Sequence, residues 1–407
     1  MILEVNGTQY SGFLEARAIL RLDSLANSFS FQATSEDGLP MPFLGGEKCS
    51  VNIEGETILT GFIEIMDVSG NSKAHDIVIQ GRDKTADLLD SMVGSLSDIR
   101  PPISLKSIIE KVLEHIDSDV DVIDEVSPAI FETAEDLAAP DPGQEAFKFI
   151  ESLARKRQVL LTSNGDGDIV IAQSSGIETE AVLQNHIESD ANNVLTYAVS
   201  YDSTGRYNKY HVLSQLNPLP LVEAGTTSHS AIVDQSASVT DPEIRAGRKH
   251  VVVAEAMSSK NKGRDRAAWE SNIRIARSKV YSATVHGNKG SDDELWRVNR
   301  LVKVEDQFCS INTMMLINSI EFSLSSDGGR QTSLSLVNKN AYTLELSEPT
   351  SAEMGLGLSK ETPVDEEPVD PFAPWWMTGG GKKLPAAKPK APVPDFEPWW
   401  MKGKGRL

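Results

Sequence analysis

Cysteine is nearly absent from this sequence: the 407 residues hold two, Cys49 and Cys309. Two thiols cannot make a disulfide framework, and a chain this long has core enough to need none. Both are expected as reduced, buried small residues. Positive charge is also short, with 39 Lys and Arg against 59 Asp and Glu, a formal −20. Phosphate binding needs net or clustered positive charge, which argues against a free-standing DNA- or RNA-binding protein. An acidic surface would instead keep passing nucleic acid from sticking. No apolar run approaches the roughly 18 residues of a membrane span, so no stable membrane insertion is expected. The opening MILEVNGTQYSGF has neither a basic n-region nor an apolar h-region. A soluble protein made in a cytoplasm, without a secretory signal, is expected.

Catalytic signatures are missing too. There is no H-E-x-x-H, G-x-S-x-G or C-x-x-C, and the seven histidines are scattered. His75, His115, His211 and His286 lie in or beside predicted elements and read as satisfied core or surface residues. Asn164-Gly165-Asp166-Gly167-Asp168 opens like a calcium loop. It lacks Gly at the sixth position and has Ser175 where the twelfth-position Glu belongs, so a hairpin turn accounts for it. Thr378-Gly-Gly-Gly-Lys-Lys383 ends without phosphate-loop spacing and without a preceding strand. No catalytic, cofactor or metal site is nominated.

What the chain does have is repetition. Residues 49–83 and 302–338 both read as a short alternating strand, an apolar strand, a polar turn and a third alternating strand. The matching positions are Val51 and Ile53 with Val302 and Val304, then Ile58, Leu59, Phe62, Ile63 and Ile65 with Met315, Leu316, Ile317, Ile320 and Phe322. The turns Ser69–Ser72 and Ser325–Gly329 follow, then Ile77 and Ile79 with Leu334 and Leu336. The pattern suggests two similar small β-domains in one chain, although any two antiparallel meanders look alike at this level. Three copies of such a chain could form a quasi-sixfold ring, which points to a symmetry adaptor rather than an enzyme.

The fold class expected is α+β, mainly β: two β-barrel-like domains, an α/β insert domain and a disordered C-terminal tail. The first β-domain covers 1–98, with return strands at about 185–213, and includes a hairpin at Asn6-Gly7 and a short helix after Gly81. The α/β domain covers 101–180. Leu105, Ile108, Ile109, Val112, Leu113 and Ile116 make one helical stripe capped by Ser104. A second helix is expected from Asp141-Pro142-Gly143-Gln144, with Asp141 as cap and Pro142 as first helical residue. Residues 117–141 and 214–242 read as loop, and Tyr207–Val212 as a partner for the strand at 194–201. The second β-domain covers 214–346, with a helix at 265–277 that puts Trp269, Ile273 and Ala276 on one face.

Two features suggest partners. Between Arg245 and Lys279 ten bases meet three acids, a local +7 that includes Arg264, Arg266, Arg274 and Arg277. This is either a docking patch for an acidic partner or neighbouring subunit, or a solvated helix face with local ion pairs. In the tail, 347–407, Phe372-Ala-Pro-Trp375-Trp376-Met377 recurs as Phe396-Glu-Pro-Trp399-Trp400-Met401. Trp and Met are favoured interface anchors, and two copies on one flexible segment would bind with avidity. The alternatives are packing of these units on the chain's own domains, or anchoring at a membrane interface. The tail is split in charge, −7 over 345–370 and +5 over 382–407.

Residues 1–346 resemble the baseplate hub proteins of Mu-like contractile-tailed phages, a family related in fold to hub domains of type VI secretion spikes. The resemblance rests on Gly81-Arg-Asp-Lys-Thr-Ala-Asp-Leu-Leu-Asp90 and on Pro142-Gly-Gln-Glu-Ala-Phe147. It rests also on the block from Arg266-Ala-Ala-Trp269-Glu270 through Ala276-Arg277-Ser278 to Leu295-Trp296-Arg-Val-Asn299, and on Met315-Leu316-Ile317. It implies a non-enzymatic homotrimer whose two β-domains per copy form a pseudo-sixfold torus joining a sixfold tail tube to a threefold spike. The expected partners are the spike protein below, the tail tube or distal tail protein above, and other baseplate proteins. DNA would pass through the channel without specific binding. The expected location is the virion tail baseplate, after assembly in the host bacterial cytoplasm. Two alternatives remain. One is the hub of a type VI secretion or phage-derived contractile particle. The other is a cell-wall-acting enzyme with β-domains, for which no carboxylate pair is nominated locally.

Overall fold

The computed structural model describes residues 1–35, 43–70, 75–94, 96, 99–132, 137, 140–187, 190–215, 233–254 and 260–342. The tail with its Phe372 and Phe396 repeats lies outside the described residues.

The first seven strands are β1 (Ile2–Val5), β2 (Thr8–Tyr10), β3 (Glu15–Arg21), β4 (Ser28–Ser35), β5 (Lys48–Ile53), β6 (Glu56–Gly70) and β7 (His75–Asp83). Asn6 and Gly7, both at positive φ, make the tight turn expected between β1 and β2. Helix α1 (Ala86–Asp90) and β8 (Met92–Val93) then lead out of the sheet.

The α/β segment contains α2 (Leu105–His115), β9 (Val122–Asp124), β10 (Gln144–Glu145), α3 (Ala146–Lys156), β11 (Leu160–Ser163) and β12 (Ile169–Ala172). The Ser104 hydroxyl accepts from the Ser107 N–H and caps α2 as expected. Leu105, Ile108, Ile109, Val112 and Leu113 are buried against Phe149, Ile150 and Leu153 of α3. Each such side chain contributes about 1.5–3 kcal/mol by leaving water. Helix α3 starts later than expected, at Ala146. Asp141–Gln144 forms a turn instead, in which the Gln144 side chain accepts from the Asp141 N–H, and Gln144–Glu145 pairs with β8. The strand ladder takes the backbone groups that a helical turn there would have used.

After β12 come β13 (Glu178–Asn185), β14 (Val194–Tyr201), β15 (Lys209–Gln215), β16 (Val233–Thr240) and β17 (Lys249–Ala254). Helix α4 (Lys260–Ser278) follows, then β18 (Lys279–His286), β19 (Leu301–Asp306), β20 (Ile311–Ser325) and β21 (Gly329–Asn338). Three expectations are corrected here. The strands at 178–201 do not return to the first β-unit, because β13 pairs β19 and β14 pairs β18. Residues 209–215 do not pair with β14; they form a separate sheet of order β16-β15-β17. Part of the supposed loop at 214–242 is therefore strand β16, whose polar sequence hid it.

Thirteen strands form one sheet along the path β14-β18-β21-β20-β3-β4-β7-β6-β5-β1-β2, with β13 and β19 attached at β20. The chain is thus mainly β, as expected. The path has free ends at β14 and β2, and no closed barrel is found among the described residues. Within the sheet one order occurs twice: β3-β4-β7-β6-β5 in the first half and β14-β18-β21-β20-β19 in the second. The middle strands β6 and β20 are each 15 residues long and each carry a register shift against the following strand, at Ile63/Ile65 and at Ile317/Ser319. Aligning these bulges makes Asp83 equivalent to Asn338. Both end their strands with the same turn, the side-chain oxygen accepting a backbone N–H two residues on, from Thr85 at 3.0 Å and from Asn340 at 2.9 Å. A single apolar core backs both halves, running from Leu3, Phe29, Phe31 and Ile63 to Tyr281, Ile320, Phe322 and Leu334.

Among the contacts that tie the α/β segment to the first β-unit, two bear on the sequence reading. The β11–β12 turn lies on β6, where a side chain at Gly165 or Gly167 would meet the Thr57 or Thr60 carbonyl at 2.4 and 2.5 Å. The Asn164–Asp168 stretch is therefore a docking turn, not a cation loop. The second contact is the buried Asp83 carboxylate, which accepts from the Asn27 N–H at 2.9 Å, the Ser163 hydroxyl at 2.5 Å and the Thr85 N–H and hydroxyl. Burial raises the Asp83 pKa against the lowering effect of these bonds. Replacing Asp83 with Ala would leave those donors buried and unpaired. Asp83→Ala is expected to cost about 3 kcal/mol, read as a lower urea midpoint at unchanged slope.

Candidate docking surface around helix α4

Helix α4 lies between two sheets. Trp269, Ile273 and Ala276 face the main sheet, packing with Leu316, Val337 and Tyr342, as the 3.6-residue period predicts. Ala267 and Ala268 face the small sheet, against Tyr210, Val212 and Val239. Small residues on that side let the second sheet approach closely.

With both apolar faces used, the charged residues of α4 fall on the remaining stripe. Arg266 and Arg274 flank Glu270 one helical turn away on either side, at 2.7 and 3.9 Å. Arg266 also donates to the Arg155 carbonyl on α3 at 2.8 Å and lies 5.0 Å over the Trp269 ring. Arg274 donates to the Gly205 carbonyl at 3.2 Å and sits 5.4 Å from the Tyr207 ring. Arg277 pairs with Asp23 at 3.3 Å but stays mostly exposed, and Arg264 is exposed at the start of the helix. Of the four arginines picked out from the sequence, the structure thus uses Arg266 and Arg274 as internal struts. It places Arg264 and Arg277 at the surface.

The neighbouring bases divide in the same way. Arg206 is buried and forks onto Asp241 at 2.8 Å, with Glu243 also at 2.8 Å. Arg248 donates to the carbonyls of Ser203 and Thr204 and lies 5.5 Å over Tyr207. His250 stacks on Tyr207, and burial together with Arg274 lowers its pKa. It therefore adds no charge near neutral pH. Arg245 and Lys249 are exposed. Between α3 and α4 runs a cleft of about 240 Å³ lined by Glu151, Arg155, Trp269, Arg274, Arg277 and Tyr342 among others.

Among the described residues no group of three or more His, Cys, Asp or Glu side chains is placed to hold a metal ion. None of the described helices is long and apolar enough to cross a membrane. Cys49 is buried, which pushes its thiol up to about 12. Cys309 is half-buried and raised to about 11 by burial and the nearby Asp306 carboxylate. Both stay protonated at neutral pH and are poor nucleophiles.

The division of labour along α4 is testable. Glu270→Ala strips the partner from two partly buried guanidinium groups and is expected to cost about 2–3 kcal/mol. Arg264→Ala should stay within about 0.5 kcal/mol. Thermal unfolding of the two variants checks both.

The comparisons with known proteins agree with this architecture. Residues 1–83 match the model for the N-terminal domain of the Mu phage baseplate assembly protein GpP-like family, and residues 259–345 match that for the fourth domain of GpP. These two segments are the first β-meander and the unit formed by α4 with the second meander. The baseplate hub protein gp44 of Escherichia phage Mu is 23% identical over 344 residues, covering 84% of this chain and 88% of that protein. The 43 kDa tail protein of prophage MuSo2 from Shewanella oneidensis superposes with a TM-score of 0.70 at 27% identity, covering 84% of this chain and 98% of that one. A chain of a Francisella PdpA–VgrG complex shares the fold alone, with a TM-score of 0.50 at 7% identity over 86% of this chain and 59% of that one. With matches to the first and fourth GpP domains in order within one sheet, the chain is similar over most of its length to the baseplate hub protein of phage Mu.

Proposed function

We propose that this protein is the structural hub of a contractile-tail baseplate, three copies closing into a ring that fits a sixfold tail tube to a threefold spike. The observation that carries this reading is the doubled strand order within one chain. Each copy supplies two β-units of like topology, joined where β20 pairs β3, so three copies present six similar units. The parts that occur once per copy, the α/β segment and the small sheet beside α4, would supply the threefold features and contacts to other baseplate proteins. DNA passes through the centre without specific binding, in keeping with a net charge of −20. The role is one of assembly, carried out in the virion tail after assembly in the host cytoplasm.

Two further contact regions belong to this reading. The surface arginines Arg264 and Arg277 form a docking patch for an acidic neighbour. The paired motifs Phe372, Trp375, Trp376, Met377 and Phe396, Trp399, Trp400, Met401 act as two tethered anchors for one partner.

The fold shared with the PdpA–VgrG chain favours a second reading, a hub of a type VI secretion or phage-derived particle built on the same ring. The presence or absence of packaged DNA in purified particles separates the two.

Light scattering tests the ring. The intact chain, 44.3 kDa, is expected at three times that mass, 133 kDa. A version lacking residues 347–407 should remain trimeric at its lower mass. A monomer with and without added spike protein would overturn the hub reading.

A further inference from the structure

The joint that unites the two β-units within one chain has a free copy of each of its halves. In the joint, the distal half of β20 lies antiparallel to β3, Ser319–Ser325 against Arg21–Glu15. The bulge alignment makes Ile65–Gly70 of β6 the equivalent of Ser319–Leu324. It likewise makes Tyr197, Val199 and Tyr201 of β14 the equivalents of Ala16, Ala18 and Leu20 of β3, because β14 pairs β18 as β3 pairs β4. Yet the distal half of β6 pairs only with β7, and β14 pairs only with β18, among the described residues.

Exposure differs between the two places as a missing partner would require. Within the intrachain joint Ala16, Ala18, Ile320 and Phe322 are 0–2% exposed. At the free halves Val68 is 50%, Tyr197 39% and Tyr201 54% exposed. These side chains continue the core face. Tyr197 stacks on buried Tyr281, and Met66 and Val199 pack at the margin of the same core. The edge itself is unguarded, since the eight residues of β14, VLTYAVSY, include no charge and no proline. Natural edge strands that stay unpaired carry such protection.

We propose that β14 of one copy pairs antiparallel with the distal half of β6 of the next, repeating between copies the joint that β20 and β3 make within one. This inference rests on the ring reading above and names the strands and register that close the ring. The intrachain register carries over to Met66 opposite Tyr201, Asp67 opposite Ser200, Val68 opposite Val199, Ser69 opposite Ala198 and Gly70 opposite Tyr197. The sizes fit: Phe322 faces Ala18 within the chain, and Gly70 leaves room for Tyr197 between copies. No like charges meet on the outer face, where Asp67 and Ser69 face Ser200 and Ala198.

Cysteine cross-linking tests this. Directly opposed residues on antiparallel strands have Cα atoms about 4.5–5.5 Å apart, within disulfide range. Asp67, Ser200 and Ala198 are all exposed, so their substitution leaves the core intact. In a Cys309→Ser background, Asp67→Cys with Ser200→Cys is expected to give covalent trimer on a non-reducing gel under mild oxidation, and neither single variant should. Asp67→Cys with Ala198→Cys, one pair out of register, should give at least tenfold less. A trimeric mass without cross-linking would overturn the β6–β14 joint and leave the ring reading standing. Equal yield from the control would overturn the register. A monomeric mass without cross-linking would overturn both readings.

Discussion

The backbone ladder between β20 and β3 holds the two halves of this protein in one sheet. Strand β20 pairs β21 along one edge and two neighbours along the other, β19 through Ile311–Leu316 and β3 through Ser319–Ser325. The bulge between Ile317 and Ser319 lies where one set of partners gives way to the other. A bulge bends the strand and increases its local twist. Fifteen residues give β20 the length to pair with both neighbours. Behind the ladder Ile320 and Phe322 are fully buried against Ala18 and the rest of the shared core. Each backbone bond adds about 1 kcal/mol net; the apolar burial behind them contributes more. The paired residues are some three hundred positions apart, and pairing of that range is slow to form.

Charge in this acidic chain is placed at seams. Arg17 meets Glu321 across the β20–β3 joint, Arg330 meets Glu54, Arg297 meets Glu56, and Lys84 meets Asp168 under the docking turn. The exposed pairs contribute about 0–1 kcal/mol each and set orientation more than stability. Arg206 with Asp241 is of another kind, buried and bidentate, where removal of either partner strands a charge. The basic cluster seen in the sequence is therefore two populations. One is spent inside, fastening α4 to α3 and to the small sheet; the other, Arg264, Arg277, Arg245 and Lys249, faces out. A count of charges cannot separate them, because the difference lies in which carbonyls and carboxylates the fold brings near.

Legibility followed the range of the interaction concerned. The α2 stripe, the Ser104 cap, the Asn6-Gly7 turn and the Trp269 face of α4 are local patterns, and each stands where the residues place it. The twin meanders were also readable, since bulged strands of equal length leave similar alternation. Strand partners were not. Nothing in VLTYAVSY says that β14 joins β18 rather than the first unit, and Val233–Thr240 is too polar to announce itself as a strand. The Asp83 network was equally silent. Asp83 stood inside a recognised turn, but its partners Asn27 and Ser163 come from two other segments of the chain.

A joint made of two unlike halves has a direction. In the proposed joint one copy would offer the distal half of β6 and receive on β14, so each contact would leave one further half of each kind unused. Such heterologous contacts end in a filament or a closed ring, and closure depends on the rotation per joint. In this chain one joint of this strand arrangement is already built into every copy, at β20 and β3, where it is backed by a bulged strand and a packed core. If the joint between copies has the same geometry, a ring of three contains six near-equal rotations. Its β-layer would then approach sixfold symmetry, while α4, the small sheet and the α/β segment would repeat only three times. In the proposed ring, two symmetries would thus follow from a repeated strand order and two insertions that were not repeated.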